Sequence, residues 1–358
     1  MKLALKILAG LAVAVVALVG ALVIYTFATA LRPASPVGVQ QAVVVDAGHP
    51  PIPVDIWYPT DSKPGFVLLP SAAQWVAARG RVAGAGLPLV ILSHGTGGGA
   101  MSHVDTALAL AEAGFVVVAP THTGDNFRDD SAVGTSHWLV DRSRHISRVA
   151  DFMLNTWRDR AYLDGRRVGL FGFSAGATTG LISIGGVPDL DRVETQCASH
   201  PEFVCQLRRA EAPIQDPGTA SWTHDTRISA AVIAAPGLGF TFEPAGLAAV
   251  RVPVQLWSGA EDQSVPYATN AGIVRGLLPN PPEFHSVPGA GHLAFLRPCR
   301  IGPPLLCKDG PDFDRVAFHK TFNRAVVTFF EAHLAASSAA VSAGADTGNG
   351  HHKTPTAG

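Results

Sequence analysis

Runs of apolar residues with turn residues at their ends limit what this chain can fold into. LPLVIL (87–92), FVVVA (115–119), VGLF (168–171) and AAVIAA (230–235) are apolar or glycine from end to end. A strand with one wet face alternates apolar and polar residues, whereas an unbroken apolar strand is covered on both faces. Helix-length stretches lie between these runs: residues 102–113 are alanine-rich, and 138–158 carry Ile146, Val149, Ala150, Met153 and Leu154 on one face. Strands alternating with helices in this way predict an α/β chain whose mostly parallel sheet has helices on both sides. VPVQLWSG (252–259) and EFHSV (283–287) add strands, and FHKTFNRAVVTFFEAHL (318–334) closes the body as an amphipathic helix. QQAVVVDA (40–47) and IPVDIWYPT (52–60) alternate and read as a hairpin at the sheet's edge.

One stretch breaks the rhythm. Residues 185–227 are polar and charged, and they predict an insertion over the sheet, a lid-like segment or substrate wall. The body then spans 39–334, after a short linker at 33–38, and the Ala-, Ser-, Gly- and Thr-rich stretch 335–358 predicts a disordered tail. With 47 % hydrophobic residues the whole chain has enough apolar material for a large core. Its 27 basic residues against 28 acidic ones form no basic block, which gives no reason to expect a nucleic-acid partner.

The N-terminus differs from the body. MKLALK precedes an uncharged run from Ile7 to Leu31, a positive region followed by a membrane-inserting helix. Ala28-Thr29-Ala30 has the small-x-small pattern of a signal-peptidase site, but the run is longer than an ordinary signal core and long enough to span a bilayer. Residues 1–31 are therefore read as an uncleaved anchor or a cleaved signal, and both place the body outside the cytoplasm, periplasmic or extracytoplasmic. Four cysteines agree with export. The simplest pairing joins Cys197 with Cys205 and Cys299 with Cys307, and the spacings do not suit zinc.

The sequence GFSAG (172–176) directly follows the VGLF strand. A Gly-x-Ser-x-Gly there is a nucleophile elbow: side chains at Gly172 and Gly176 would collide in the tight strand-to-helix turn, which lifts the Ser174 hydroxyl clear of the sheet. Serine needs a base and an acid to orient that base, in the chain order Ser, Asp or Glu, His. Glu261 and Asp262 leave one strand and His292 leaves the next, at the same sheet edge as the elbow. The shorter side chain favours Asp262 as the stiffer support for an imidazole. His285 falls inside a strand and His319 in the last helix.

Two backbone donors are needed for an oxyanion. Ala175, after the nucleophile, supplies one, and SHGTGGG (93–99) supplies the other through Thr96, with Gly97 as the alternative. That loop lacks the endings of a phosphate- or dinucleotide-binding loop, and no metal or organic cofactor is called for. His94, His122 and His103 fall at the same edge, the first two as shapers of the pocket. Arg142, Arg144 and Arg148 read as a solvated or ion-paired helix face. Trp138, Trp222 and Trp257 are candidates for the binding wall, with the core equally open to the last.

Together, VDIWYPT, LPLVILSHGTGG, GFVVVAPTHTGDN, RRVGLFGFSAGATT, GAEDQSVP and GAGHLAF resemble the dienelactone hydrolase group of the α/β-hydrolase fold, over about residues 43–333. They are also similar to platelet-activating-factor acetylhydrolase-like lipases. The resemblance implies that Ser174, Asp262 and His292 form the triad and that Thr96 and Ala175 are the oxyanion donors. Dienelactone hydrolases proper carry a cysteine nucleophile, so Ser174 points to ordinary ester hydrolysis. The acetylhydrolases place their acid after the earlier strand, where AAPGLGF (234–240) has no carboxylate, and this supports Asp262. The expectation is a serine hydrolase acting on a small-molecule carboxylic ester. A peptidase or amidase with the same triad, or a catalytically silent binding protein, is the alternative.

Overall fold

In the computed structural model, which describes residues 2–69, 72–208, 214–299, 304–307 and 309–335, ten strands form one mixed sheet. They are β1 (Val37–Val44), β2 (Ile52–Pro59), β3 (Gly65–Leu69), β4 (Ala72–Ala78), β5 (Leu87–Ser93), β6 (Val116–Pro120), β7 (Leu163–Phe173), β8 (Ile228–Ala234), β9 (Val254–Gly259) and β10 (Glu283–Val287). The spatial order is β10-β9-β8-β7-β5-β6-β2-β1-β4-β3. The six strands from β10 to β6 run parallel, and β2 turns the direction. The β1–β2 hairpin pairs in full register, Val37 with Pro59 through Val44 with Ile52.

Alternation along β5 sorts its side chains between two cores. Leu89 and Ile91 join a cluster with Ile146, Val149 and Leu181; Val90 and Leu92 join another with Leu108, Leu110, Phe322 and Phe330. The first cluster lies under α3 (Trp138–Asp151) and α4 (Ala175–Ser183), the second under α2 (Val104–Glu112) and α10 (Arg315–His333), where α1 (Lys2–Ala28) is the N-terminal helix. Helices thus cover both faces, which is why the central strands are apolar throughout. The helix expected over 138–158 ends at Asp151 and continues as a wider π-type turn to Thr156.

The insertion carries α5 (Arg192–Ser199) and α6 (Phe203–Leu207), tied by a Cys197–Cys205 disulfide. Short helices α7 (Pro244–Leu247), α8 (Ala271–Leu277) and α9 (Pro304–Cys307) follow, and a second disulfide joins Cys299 to Cys307. Val193, Cys197, Val204, Ile214 and Trp222 bury themselves in the cluster beside α3 and α4. The insertion is therefore mainly a buttress of that face.

Two strands were not expected from the sequence. FVLL and AAQWVAA form β3 and β4, and β4 also pairs with β1. Residues 33–38 are not a free linker: β1 begins at Val37, and the backbone N–H groups of Ala34 and Ser35 donate to the Glu112 carboxylate. The expected tail falls outside the described residues from 336 onward.

Candidate active site

The carboxyl ends of β7, β9 and β10 bring three predicted residues together. Ser174 follows β7 directly with φ 55° and ψ −121°, in the positive-φ region that costs a side chain energy and marks a held turn. Its N–H donates to Ala234 O at 3.0 Å, tying the turn to β8. A Cβ on Gly172 would come within 2.2 Å of Gly176 O, and one on Gly176 within 2.0 Å of Ser93 O. Glycine is thus required at both places by backbone that cannot move away.

Ser174 Oγ donates to His292 Nε2 at 2.9 Å, and His292 Nδ1 donates to Asp262 Oδ2 at 2.7 Å. Asp262 is buried, and its other oxygen accepts the N–H groups of Ser264 and Val265, both at 2.9 Å. Three donors fix that carboxylate. Glu261 is exposed and takes no part in this hydrogen-bonded line. The Phe173 ring lies 4.9 Å from the imidazole and supports it from the side of the elbow.

Ala175 opens α4, so its N–H is among the amide donors that a helix start leaves without intrahelical partners. In the 93–99 loop, the Gly97 N–H donates to Asp125 Oδ1 at 2.7 Å and the Gly98 N–H to Gly95 O at 3.0 Å. The alternative donor Gly97 is thus already engaged. Among the described residues no hydrogen bond engages the Thr96 N–H.

Beside Ser174 opens a cavity of about 1020 Å³. Met101, Phe127, Phe203, Leu293, Leu296 and Leu306 give it an apolar lining, while Asp55, Arg128 and Arg297 add charge. Among the described residues of the expected lid over 185–227, only Phe203 lines the cavity. The wall is instead built by the loops after β5, β6 and β10 and by the edge of the β1–β2 hairpin. Trp138, Trp222 and Trp257 are buried core residues and do not line the cavity.

Behind the loop lies a charged cluster. Arg142 is ion-paired but fully buried, not solvated: it donates to Asp125 Oδ2 at 2.5 Å. It sits one turn before Ile146 and two before Val149, on the buried stripe of α3, and this spacing was the signal for its burial. Arg144 and Arg148 do lie at the surface side, both reaching the buried Asp46. His94 and His122 sit behind the pocket, not in its wall, and share this cluster: His94 Nε2 accepts the His122 N–H at 3.1 Å, and His122 Nδ1 lies 3.2 Å from His145 Nδ1. Burial, reinforced by Arg142, lowers His94 to about 3. Burial, with Arg142 and the neighbouring histidines, also holds His122 well below its ordinary value. Burial and Arg144 lower His145 to about 4. Burial alone would raise the Asp125 carboxyl, but Arg142 and His94 outweigh it and the value is lowered. Asp125 carried no signal in the sequence beyond its place in a loop at the functional edge.

His285 stacks on Trp257 in the edge strand, and His319 is held by Asp105 at 2.6 Å. His103 is buried in contact with Phe171 and Phe173. Among the described residues no group of three or more His, Cys, Asp and Glu could hold a metal.

Residues 77–217 match the family model described as the dienelactone hydrolase family, a stretch that contains the elbow but not Asp262 or His292. A ferulic acid esterase from Streptomyces cinnamoneus shares the fold with a TM-score of 0.61 at 19 % identity, over 87 % of this chain and 98 % of that one. A dienelactone hydrolase from Anabaena variabilis aligns with a TM-score of 0.47 at 16 % identity, over 82 % of this chain and 98 % of that one. The comparison with curated proteins returned no match.

Proposed function

We propose, from the premise that this chain is a dienelactone-hydrolase-like α/β-hydrolase, that it is a serine hydrolase of carboxylic esters. The observation that carries the reading is the unbroken hydrogen-bonded line from Ser174 through His292 to Asp262, open to the cavity. His292 Nε2 takes the hydroxyl proton as Ser174 Oγ attacks the ester carbonyl, and Asp262 holds the ring in the tautomer that can accept it. The N–H groups of Thr96 and Ala175 stabilise the oxyanion. His292 then returns the proton to the departing alcohol, and water, deprotonated by the same imidazole, releases the acid from the acyl-enzyme. The apolar lining favours esters with an apolar acyl or alcohol part. The test is Ser174→Ala against the unaltered protein, with p-nitrophenyl esters of rising chain length and a fluorophosphonate label. Loss of both turnover and labelling is expected; full turnover in a folded variant would overturn the reading.

We infer also that the body is exported and stays tethered by α1. This helix has 27 residues with a mean hydropathy of 3.0 in its most apolar window, and none of its residues is buried against the body. At about 1.5 Å per residue it is long enough to cross a bilayer core of about 30 Å. Its exit favours an anchor over a removed signal. The Phe27 ring rests 5.4 Å from Phe66 and 5.1 Å from Trp75, and the Arg32 guanidinium lies over Trp75 at 4.6 Å. Ala30, the last residue of the small-x-small site, is buried, and Leu31 bridges to β4 at Gln74. Aromatic rings with an arginine at a helix end suit the membrane–water interface. Cell fractionation with mass determination of the N-terminus tests this: detergent-dependent extraction with residues 1–31 retained is expected, and a soluble chain beginning at Leu31 would refute it.

A further inference from the structure

We propose that Arg142 is a positioning residue for this hydrolysis, and that its buried guanidinium fixes the spacing between the two backbone amides that receive the oxyanion. The proposal rests on the serine-esterase reading and adds to it a residue that touches neither substrate nor triad. Its basis is where the arms of the guanidinium end. Nη2 donates to His94 O, at the start of the loop that carries Thr96. Nη1 donates to Asp125 Oδ2, and Asp125 Oδ1 accepts the Gly97 N–H, on the other side of Thr96. Nε donates to Thr179 Oγ1 at 3.0 Å, and that hydroxyl donates to Ala175 O at 2.7 Å. One rigid cation therefore grips the loop on both sides of one amide and the first turn of the helix that offers the other.

The loop needs such a grip. Gly95, Gly97, Gly98 and Gly99 have no side chains of their own with which to hold it, and while a Cβ at Gly95 would come within 3.0 Å of Phe173, one at Gly97, next to Thr96, would meet nothing within 4 Å. An oxyanion hole works only when its donors are aligned before the charge develops, so a loose loop would lose transition-state binding and leave substrate binding intact. A guanidinium offers five donors in a planar fork, which a lysine cannot reproduce. A cation buried for stability alone would be satisfied by Asp125. Here Trp138 Nε1 also donates to Asp125 at 2.6 Å, fixing the carboxylate that passes the grip to Gly97.

The experiment compares Arg142→Lys, Arg142→Met and Thr179→Val with the unaltered full chain. It measures kcat and KM on a p-nitrophenyl ester and the Ki of a trifluoromethyl ketone, which forms a tetrahedral adduct. Arg142→Met is expected to lower kcat about 100-fold, the scale of losing one oxyanion donor, with KM within about twofold. Arg142→Lys should lose about 10-fold and Thr179→Val about fivefold, and Ki should rise in step with the fall in kcat/KM. Ile146→Ala, on the same helix but in the apolar core, should lose stability and keep kcat. Arg142→Lys with kcat within twofold of the unaltered protein, a loss confined to KM, or a kcat loss equal to that of Ile146→Ala would each overturn the proposal. If neither arginine variant folds, the near-isosteric Thr179→Val decides: an unchanged kcat and Ki overturn it, and a matched loss upholds it. Ser174→Ala run alongside separates the two layers. Turnover that survives Ser174→Ala refutes the esterase reading itself, whereas Ser174-dependent turnover indifferent to Arg142 refutes only the positioning role.

Discussion

The two backbone segments that face each other across Ser174 are held by opposite means. The elbow is fixed by contact: Gly172 and Gly176 lie so close to backbone oxygens that only hydrogen fits, and Ser174 is bonded directly to β8. The 93–99 loop is close to its neighbours at Gly95 and Gly98 but has open space at Gly97, where its hold is polar, through the Asp125–Arg142 ion pair and the hydrogen bonds of the neutral buried histidines behind it. A steric hold is written in five consecutive residues. A polar hold draws on residues from the loop after β5, the loop after β6, α3 and α4, and it depends on the protonation state of its titratable members. The first tolerates little substitution at any pH, and the second is open to both mutation and acid.

The sharpest separation of the two comes from Asp262→Asn, which leaves elbow and loop in place. The asparagine side chain is the same size, but it reverses the hydrogen-bond partner offered to His292 Nδ1 and favours the wrong tautomer for accepting the serine proton. A loss of about 10⁴-fold in kcat is expected, with KM and melting temperature little changed. Steady-state kinetics beside a thermal melt would check it. A loss no larger than that of Arg142→Lys would mean that holding the loop matters as much as holding the base, and the distinction between the two regions would collapse.

Acid should act on the charge-held region first. His94 and His145 are held neutral by burial and adjacent arginines, at about 3 and about 4, and His122 well below its ordinary value. His103 is lowered to about 4, by burial and then by His319, against Asp105. Above pH ~6.5, the ordinary histidine value, these rings are neutral folded and unfolded alike, and they add no pH dependence. Below it the unfolded chain takes up protons that the folded chain refuses, so stability falls as pH drops from about 6.5 towards 4. Each histidine contributes at most about 1.4 kcal/mol per pH unit over that window. Denaturant melts at half-unit intervals would show the slope, and His145→Gln should reduce it by one proton. A stability flat from pH 6.5 to 5 would contradict the neutral, buried cluster.

The same contrast explains what could be read in advance. The mostly parallel sheet covered on both faces follows from apolar runs and the helix-length stretches between them, and Ser174, Asp262 and His292 stand in a fixed order at strand ends that the structure brings within hydrogen-bond distance. Arg142 is ion-paired, as the sequence allows, but its burial is masked because three arginines close together on one helix resemble a surface face, although its spacing to Ile146 and Val149 places it on the buried stripe. Asp125 had no local pattern, since its partners come from other parts of the chain. β3 and β4 were missed because AAQWVAA is alanine-rich and gains its strand form from pairing with β1 and β3, not from its own propensity. Of the two stretches that read as pocket wall, 185–227 and 297–311, the second does line the cavity with Arg297, Cys299 and Leu306, whereas the insertion sends most of its apolar residues to the α3–α4 face and only Phe203 of its described residues to the cavity.

The smallest change that probes the charge-held loop is Gly97→Ala. Gly97 has φ +68°, and the added methyl group meets nothing within 4 Å, so its cost is the left-handed backbone alone. That cost is about 1 kcal/mol, since a left-handed residue with a Cβ loses roughly 1–2 kcal/mol. The alanine keeps the N–H that donates to Asp125, and the Arg142 linkage survives if polar contacts hold the loop. The expected result is a melting temperature lower by a few degrees, with kcat reduced by no more than about threefold. A kcat loss of a hundredfold with intact stability would show that the loop's shape depends on glycine's backbone freedom. The loop would then belong with the elbow, as a second region held by the absence of side chains.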